Sequence, residues 1–226
     1  MKKSMYVKIE QFMHDCMKDS AHDSEHIYRV LHQSLHIASK LKEKVNFDIL
    51  IAACLLHDIG RGEQYKNHAI DHAQAGGLMA KEFLLNNGWS EQDAEHVHQC
   101  IQTHRFRGNN VPATIEAQIL FDSDKLDVSG CLGIARTLMY KGIIGGSIYT
   151  LKNGKICYGM NKEDDESFLK EYNYKLKIIY DKFYTKAARK IAKKQKKYAQ
   201  FFYDKLVDQI TAVNGGEAEI NMYIDE

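Results

Sequence analysis

The chain has 226 residues, 44% of them apolar and 27% charged, with a formal net charge of +1. This composition excludes wholesale disorder and gives no global electrostatic reason for a nucleic-acid or membrane partner. The longest apolar run, residues 49–56, falls far short of the about 20 residues that span a bilayer.

The elements are expected to be helical almost throughout, and the lone proline, Pro112, leaves room for long helices. Residues 4–18 read as an amphipathic helix. Asp23 or Ser24 can cap the next, whose Ile27, Val30, Leu31, Leu35, Ala38 and Leu41 follow three- and four-residue spacing. Asp48 is expected to start a third helix, apolar on all sides and therefore buried, that stops near Gly60 and Gly62. A fourth covers residues 72–86 and ends at Asn87-Gly88. Ser90 fits an N-cap, with Asp93 three positions on, for a helix reaching about His104. Further helices are expected over 114–126 and 133–140.

Residues 142–166 are glycine-punctuated and polar, and Asn153-Gly154 suggests a short hairpin within 149–158. Helical periodicity resumes near Glu166, as two helices or one long bent one. Fraying is expected after Asn214. No secretory signal is expected, since polar residues follow Lys2 and Lys3 without an apolar segment between. Cys16, Cys54, Cys100, Cys131 and Cys157 are scattered, which fits reduced thiols in a cytoplasmic protein.

Histidine is unevenly placed. All 11 lie at or before position 104, so the chemistry is expected in the first half. His57 and Asp58 directly follow the buried apolar helix, which can deliver both as metal ligands from a dry core. His26 and Arg29 share a helix face one turn apart. Asp124 emerges from an otherwise apolar helix and needs a partner, because a buried unpaired charge is costly.

The ordered set His…His-Asp…Asp resembles the HD superfamily of metal-dependent phosphohydrolases, closest to its small bacterial stand-alone members. The matching stretches are HDSEHIYRV (22–30), LLHDIGRG (55–62), DSDKLD (122–127), GIAR (133–136) and TKAARKIA (185–192). The resemblance implies an all-α HD-domain helical bundle with a C-terminal helical extension. It implies a single domain over 1–226, with a metal-binding core at about 20–140, an insertion at about 142–166 and C-terminal helices at about 167–213.

It also implies His26, His57, Asp58 and Asp124 as metal ligands, Asp124 being preferred over Asp122 and Asp127 because it precedes Lys-Leu. Mixed nitrogen and oxygen donors suit one divalent Mn, Fe, Co, Ni or Zn ion better than Mg. The ion would acidify water and bind a phosphoryl oxygen. The expected activity is hydrolysis of a small phosphorylated molecule, a nucleotide first, with release of phosphate or pyrophosphate. Alternatives are a non-catalytic metal-binding signalling or scaffold domain, and an HD enzyme on a non-nucleotide substrate.

Arg29 and Lys125 are the expected catalytic cations beside Asp58, and Arg29, Arg61, His104 and Lys125 the expected substrate contacts. Arg105 and Arg107 rank behind them. Arg61 stands where some nucleotide-cleaving members carry an acid. Among the remaining histidines, His68, His72, His96 and His98 read first as ordinary surface or core residues, with His68 and His104 the leading exceptions. The basic run at residues 186–197 reads as a solvated face rather than a nucleic-acid site. The stripe of Tyr172, Ile179, Phe183, Tyr198 and Phe202 is expected to serve as core or as a homodimer contact.

Overall fold

The computed structural model describes residues 1–17, 24–105, 110–213 and 222–223. The expectations for Asp23 as a cap, for Arg107 as a cation and for fraying after residue 213 lie outside the described residues. Among the described residues the fold is all-α apart from one hairpin. The chain divides into two compact units, Met1–Asp127 with Phe183–Ala188, and Val128–Lys182 with Arg189–Glu226. Among the described residues no helix is long and apolar enough to cross a membrane.

The first unit holds α1 (Lys3–Met17), α2 (Ser24–Ala38), α3 (Phe47–Leu56), α4 (Arg61–Lys66), α5 (His72–Asn86), α6 (Glu91–Gln102) and α7 (Ile115–Asp127). Helix α3 is its axis and packs against α1, α2, α5, α6 and α7. Leu50, Leu55 and Leu56 are fully buried there, each worth about 1.5–3 kcal/mol of transfer free energy. The cap of α3 is Asn46, whose side chain accepts from the Asp48 and Ile49 N–H groups. Asp48 was the expected start and instead sits in the first turn, because Asn46 already holds the capping geometry. Ser90 caps α6 as expected: its Oγ accepts from Asp93 N at 3.1 Å and donates to Asp93 Oδ2 at 2.9 Å.

The end of α3 differs from expectation. The helix stops at Leu56, residues 57–60 form a turn, and α4 starts at Arg61. Gly60 does not act as a left-handed cap, since its φ is −79°. A Cβ at Gly60 would lie 2.2 Å from the His72 carbonyl oxygen and 2.6 Å from Gly76 N. Glycine is needed here so that α5 can cross against the His57–Asp58 turn.

Within α7, Asp122 faces away from this turn. Its carboxylate accepts from Tyr184 N, Thr185 N and Thr185 Oγ1 at 2.8, 2.8 and 2.7 Å. It therefore pins the 183–188 segment to the first unit.

The second unit holds α8 (Gly130–Ile143), β1 (Thr150–Lys152), β2 (Lys155–Cys157), α9 (Phe168–Glu171) and most of α10 (Lys186–Ala212). The strands pair antiparallel with Thr150 opposite Cys157. Asn153 and Gly154 turn between them with φ of 53° and 71°, the left-handed pair that a two-residue hairpin loop requires. The periodic stretch after Glu166 is broken rather than one helix. A π turn spans Tyr172–Leu176, and a 3₁₀ turn spans Ile179–Asp181. Asn173 Nδ2 donates to the Leu169 carbonyl at 3.1 Å, competing for an acceptor of the regular ladder. Tyr172 stacks on Tyr203 with centroids 4.1 Å apart.

Candidate metal centre

Four side chains from three elements meet beside the end of α3. His26 comes from α2, His57 and Asp58 from the turn after α3, and Asp124 from α7. His26 Nε2 lies 3.3 Å from His57 Nε2, 3.3 Å from Asp124 Oδ1 and 3.8 Å from Asp58 Oδ2. His57 Nε2 lies 3.8 Å from Asp58 Oδ2 and 4.0 Å from Asp124 Oδ1. All four residues are at most 9% exposed.

A second group shares Asp58. Asp58 Oδ1 lies 3.3 Å from His72 Nε2 and 3.6 Å from His104 Nε2. Both histidines are 1% exposed. The two carboxylate oxygens of Asp58 thus face two different donor sets. His26, His57 and Asp58 form one triad whose donor atoms all lie within 4.8 Å of one another, and Asp58, His72 and His104 form the other.

One arrangement recurs in all four rings: an oxygen atom sits on Nδ1. His57 Nδ1 donates to the Cys54 carbonyl at 2.8 Å and His104 Nδ1 to the Ile101 carbonyl. His72 Nδ1 donates to Gln64 Oε1 at 2.8 Å and His26 Nδ1 to Asp127 Oδ2 at 2.7 Å. An acceptor at Nδ1 selects the tautomer whose Nε2 lone pair points the other way, here into the cluster. Ligating histidines are held in this manner. His72 Nε2 is buried and makes no hydrogen bond; leaving such an atom unmatched costs about 1–3 kcal/mol.

The charges fit the same purpose. Burial pushes His57 and His72 down to about 4, so both rings are neutral at neutral pH. Burial also opposes the charge on His26, yet hydrogen bonds to Asp124 and Asp127 outweigh it and hold the ring up at about 9, so its Nε2 carries a proton that an incoming ion displaces. Asp58 and Asp124 stay ionised against burial, with pKa values well below the usual range. For Asp58 the opposing influences are the His57 ring, which gains its charge only as pH falls toward 4, and hydrogen bonds from His104 and His72; for Asp124 the largest is the Lys125 charge. Two carboxylates and a ring of Nε2 atoms thus surround a spot that favours a cation.

Metal–nitrogen and metal–oxygen bonds of about 2.1 Å put neighbouring donors about 3–3.5 Å apart. The 3.3–4.0 Å spacings of the first set are only slightly wider. These residues fit a divalent transition metal.

Among the described residues three cations border the cluster, each bonded to a neighbouring acid. Lys125 Nζ lies 2.7 Å from Asp124 Oδ2 and 3.3 Å from the His104 carbonyl. Arg61 Nε lies 3.0 Å from Asp58 Oδ1. Arg29 Nε lies 2.7 Å from Asp127 Oδ1. Arg105 instead pairs with Asp71 at 2.7 Å. His68 is exposed, His96 sits on Thr114 and Glu116, and His98 lies beside Glu95.

The structure brings His72, read first as an ordinary surface or core histidine, up to Asp58, because Gly60 and Gly76 let α5 come close. Asp71 caps α5 through Ala73 N and Gln74 N, and Gly76 and Gly77 follow one turn later, but neither feature reports the crossing at Gly60.

Residues 23–129 match the HD domain family. The likeness to an HD domain thus rests on 107 of the 226 residues. The HD match covers α2 to α7 and contains every residue of the cluster. Across most of its length the chain is 25% identical to YpgQ of Bacillus subtilis (strain 168), an uncharacterised protein, over 87% of this chain and 88% of YpgQ. The crystal structure of YpgQ in complex with ADP shares the fold, with a TM-score of 0.70 and 24% identity over 91% of this chain and 95% of YpgQ. A predicted HD superfamily hydrolase from an uncultured Thermotogales bacterium is similar at 25% identity and a TM-score of 0.61, covering 90% and 91% of the two chains. The Lin1889 protein of Listeria innocua is 26% identical with a TM-score of 0.70, over 94% and 99%.

Proposed function

We propose that this protein is a metal-dependent phosphohydrolase that releases phosphate or pyrophosphate from a nucleotide. The carrying observation is the set of buried Nε2 atoms, each fixed by an oxygen on Nδ1 and aimed at two ionised carboxylates. His26, His57, Asp58 and Asp124 hold the ion. A divalent metal bound there supplies Lewis acidity to a phosphoryl oxygen and lowers the pKa of water. The nucleotide assignment draws its support from YpgQ, whose crystal structure holds ADP.

The chain's own residues account for the rest of the chemistry. Asp127 orients His26 and keeps its Nε2 directed inward. Arg29, Arg61 and Lys125 place positive charge around the cluster, where it attracts a phosphate and offsets charge that builds on its oxygens. Their side chains are 33%, 30% and 13% exposed, respectively, so the two arginines reach the solvent boundary.

A second reading, two ions per chain, has its own support. His72, His104 and the outer oxygen of Asp58 form a complete second donor set, and Arg61 Nε now occupies that oxygen. Nucleotide mono-, di- and triphosphates, incubated with the protein under Mn, Co, Ni, Zn or Fe, test the proposal. Product chromatography should show a nucleotide shortened by phosphate or pyrophosphate. No turnover of any nucleotide under any of these metals would overturn it.

A further inference from the structure

Helix α10 carries charge unlike the rest of the chain. Residues 186–197 hold six lysines and Arg189 without one acid, a local charge of +7 in a chain whose total is +1. All seven side chains are exposed, while Ala188, Ala192 and Ala199 on the other side are buried. Lys196 reaches Asp181 at 3.7 Å. Lys190, Lys193, Lys194 and Lys197 have no carboxylate partner among the described residues. Helices that are merely solvated gain from opposite charges three or four residues apart, and here those neighbours are like charges, which destabilise. The row extends about 17 Å at about 1.5 Å per residue.

The lysines then give way to aromatics on the same helix. Tyr198 is 57% and Phe201 66% exposed. With Cys131, Phe202 and Leu206 they line an apolar groove of about 450 Å³. A phosphate track that runs into a stacking surface is the combination single-stranded nucleic acids use. An amphipathic membrane helix needs its apolar face free to enter lipid, and in the basic segment of α10 that face is buried.

We propose that this face of α10 binds single-stranded nucleic acid, phosphates along the lysine row and bases against Tyr198 and Phe201. The proposal does not depend on the hydrolase reading. Fluorescence anisotropy of the full chain with a labelled oligo(dT) or oligo(rU) of about 20 nucleotides, longer than one site, tests it. Four to five phosphate contacts predict that log K falls with log salt at a slope of about −3. The variant K190Q/K193Q/K194Q/K197Q should keep its helicity by circular dichroism, bind at least about tenfold more weakly and show a slope near zero. Y198A/F201A should weaken binding about tenfold and leave the slope unchanged.

Three results would overturn the proposal. The first is no binding at low salt. The second is a lysine variant that keeps the wild-type slope, or an aromatic variant that keeps the wild-type affinity. The third is stronger capture by phosphatidylserine vesicles than by the oligonucleotides, which would make the face a membrane contact.

Discussion

Replacing Asp127 by asparagine isolates the support of the centre from its ligands. Asp127 Oδ2 accepts from His26 Nδ1 at 2.7 Å, and Oδ1 accepts from Arg29 Nε at 2.7 Å. Asparagine keeps the size, removes the charge and leaves one acceptor oxygen for at least three N–H groups, one of His26 and two of Arg29. A hydrogen bond to a charged group contributes about 1.5–3 kcal/mol. Part of that is recovered by the remaining amide oxygen. Loss of such a support lowers metal affinity about 10–100-fold, or about 1.4–2.7 kcal/mol. Isothermal titration with Mn or Co, run on protein stripped of metal, reads the constant directly. D127N should bind about 10–100-fold more weakly with the same stoichiometry. A dissociation constant within about twofold of wild type would show that His26 needs no anchor, refuting the reading of Nδ1 contacts as ligand supports.

Asp122 and Asp124 separate by role. D124A should lower metal retention and hydrolysis at least about 100-fold with little loss of helicity. D122A removes three hydrogen bonds to Tyr184 and Thr185 and should cost at least about 3 kcal/mol, with metal affinity retained; thermal unfolding and metal titration of both variants check this. G60A forces a Cβ against the His72 carbonyl. It should lower Tm by about 3–10 °C, from overpacking of about 1–3 kcal/mol, and weaken metal binding. A wild-type Tm would contradict the close approach.

Protein stripped of metal should be most stable near pH 6.5. His26, raised to about 9, stabilises fully below pH 6.5 and loses that contribution as pH rises through 9. His57 and His72, depressed to about 4, cost stability as pH falls from 6.5 toward 4, because the unfolded chain binds their protons first. Thermal scans across pH 4–10 should trace this maximum, and a monotonic profile would contradict it.

What could be read in the sequence follows from how local each feature is. The apolar run of α3, the Ser90 cap and the Asn153-Gly154 hairpin are each decided by a few adjacent residues, and all appear. Gly60 looks like a helix stop on local grounds alone. Its real constraint is the backbone of α5, twelve and sixteen positions away, which no local pattern reports. The place of His72 beside Asp58 was hidden for the same reason, since only the crossing at Gly60 brings its ring there. The four residues implied as ligands came together because their spacing matched a known order, whereas the Nδ1 partners Gln64 and Asp127 had no such guide. After Glu166 the helical periodicity was present, but the Asn173 amide bonds that interrupt it depend on Leu169, Tyr158 and Tyr203 in three dimensions.

The central claim is that His26, His57, Asp58 and Asp124 enclose a metal ion. Elemental analysis of gently purified protein, wild type beside H57A, addresses it most directly. Wild-type protein should carry at least one divalent transition metal per chain, and a folded H57A almost none. Metal-free wild-type protein that fails to take up any such ion on titration, or an H57A variant as fully loaded as wild type, would contradict it.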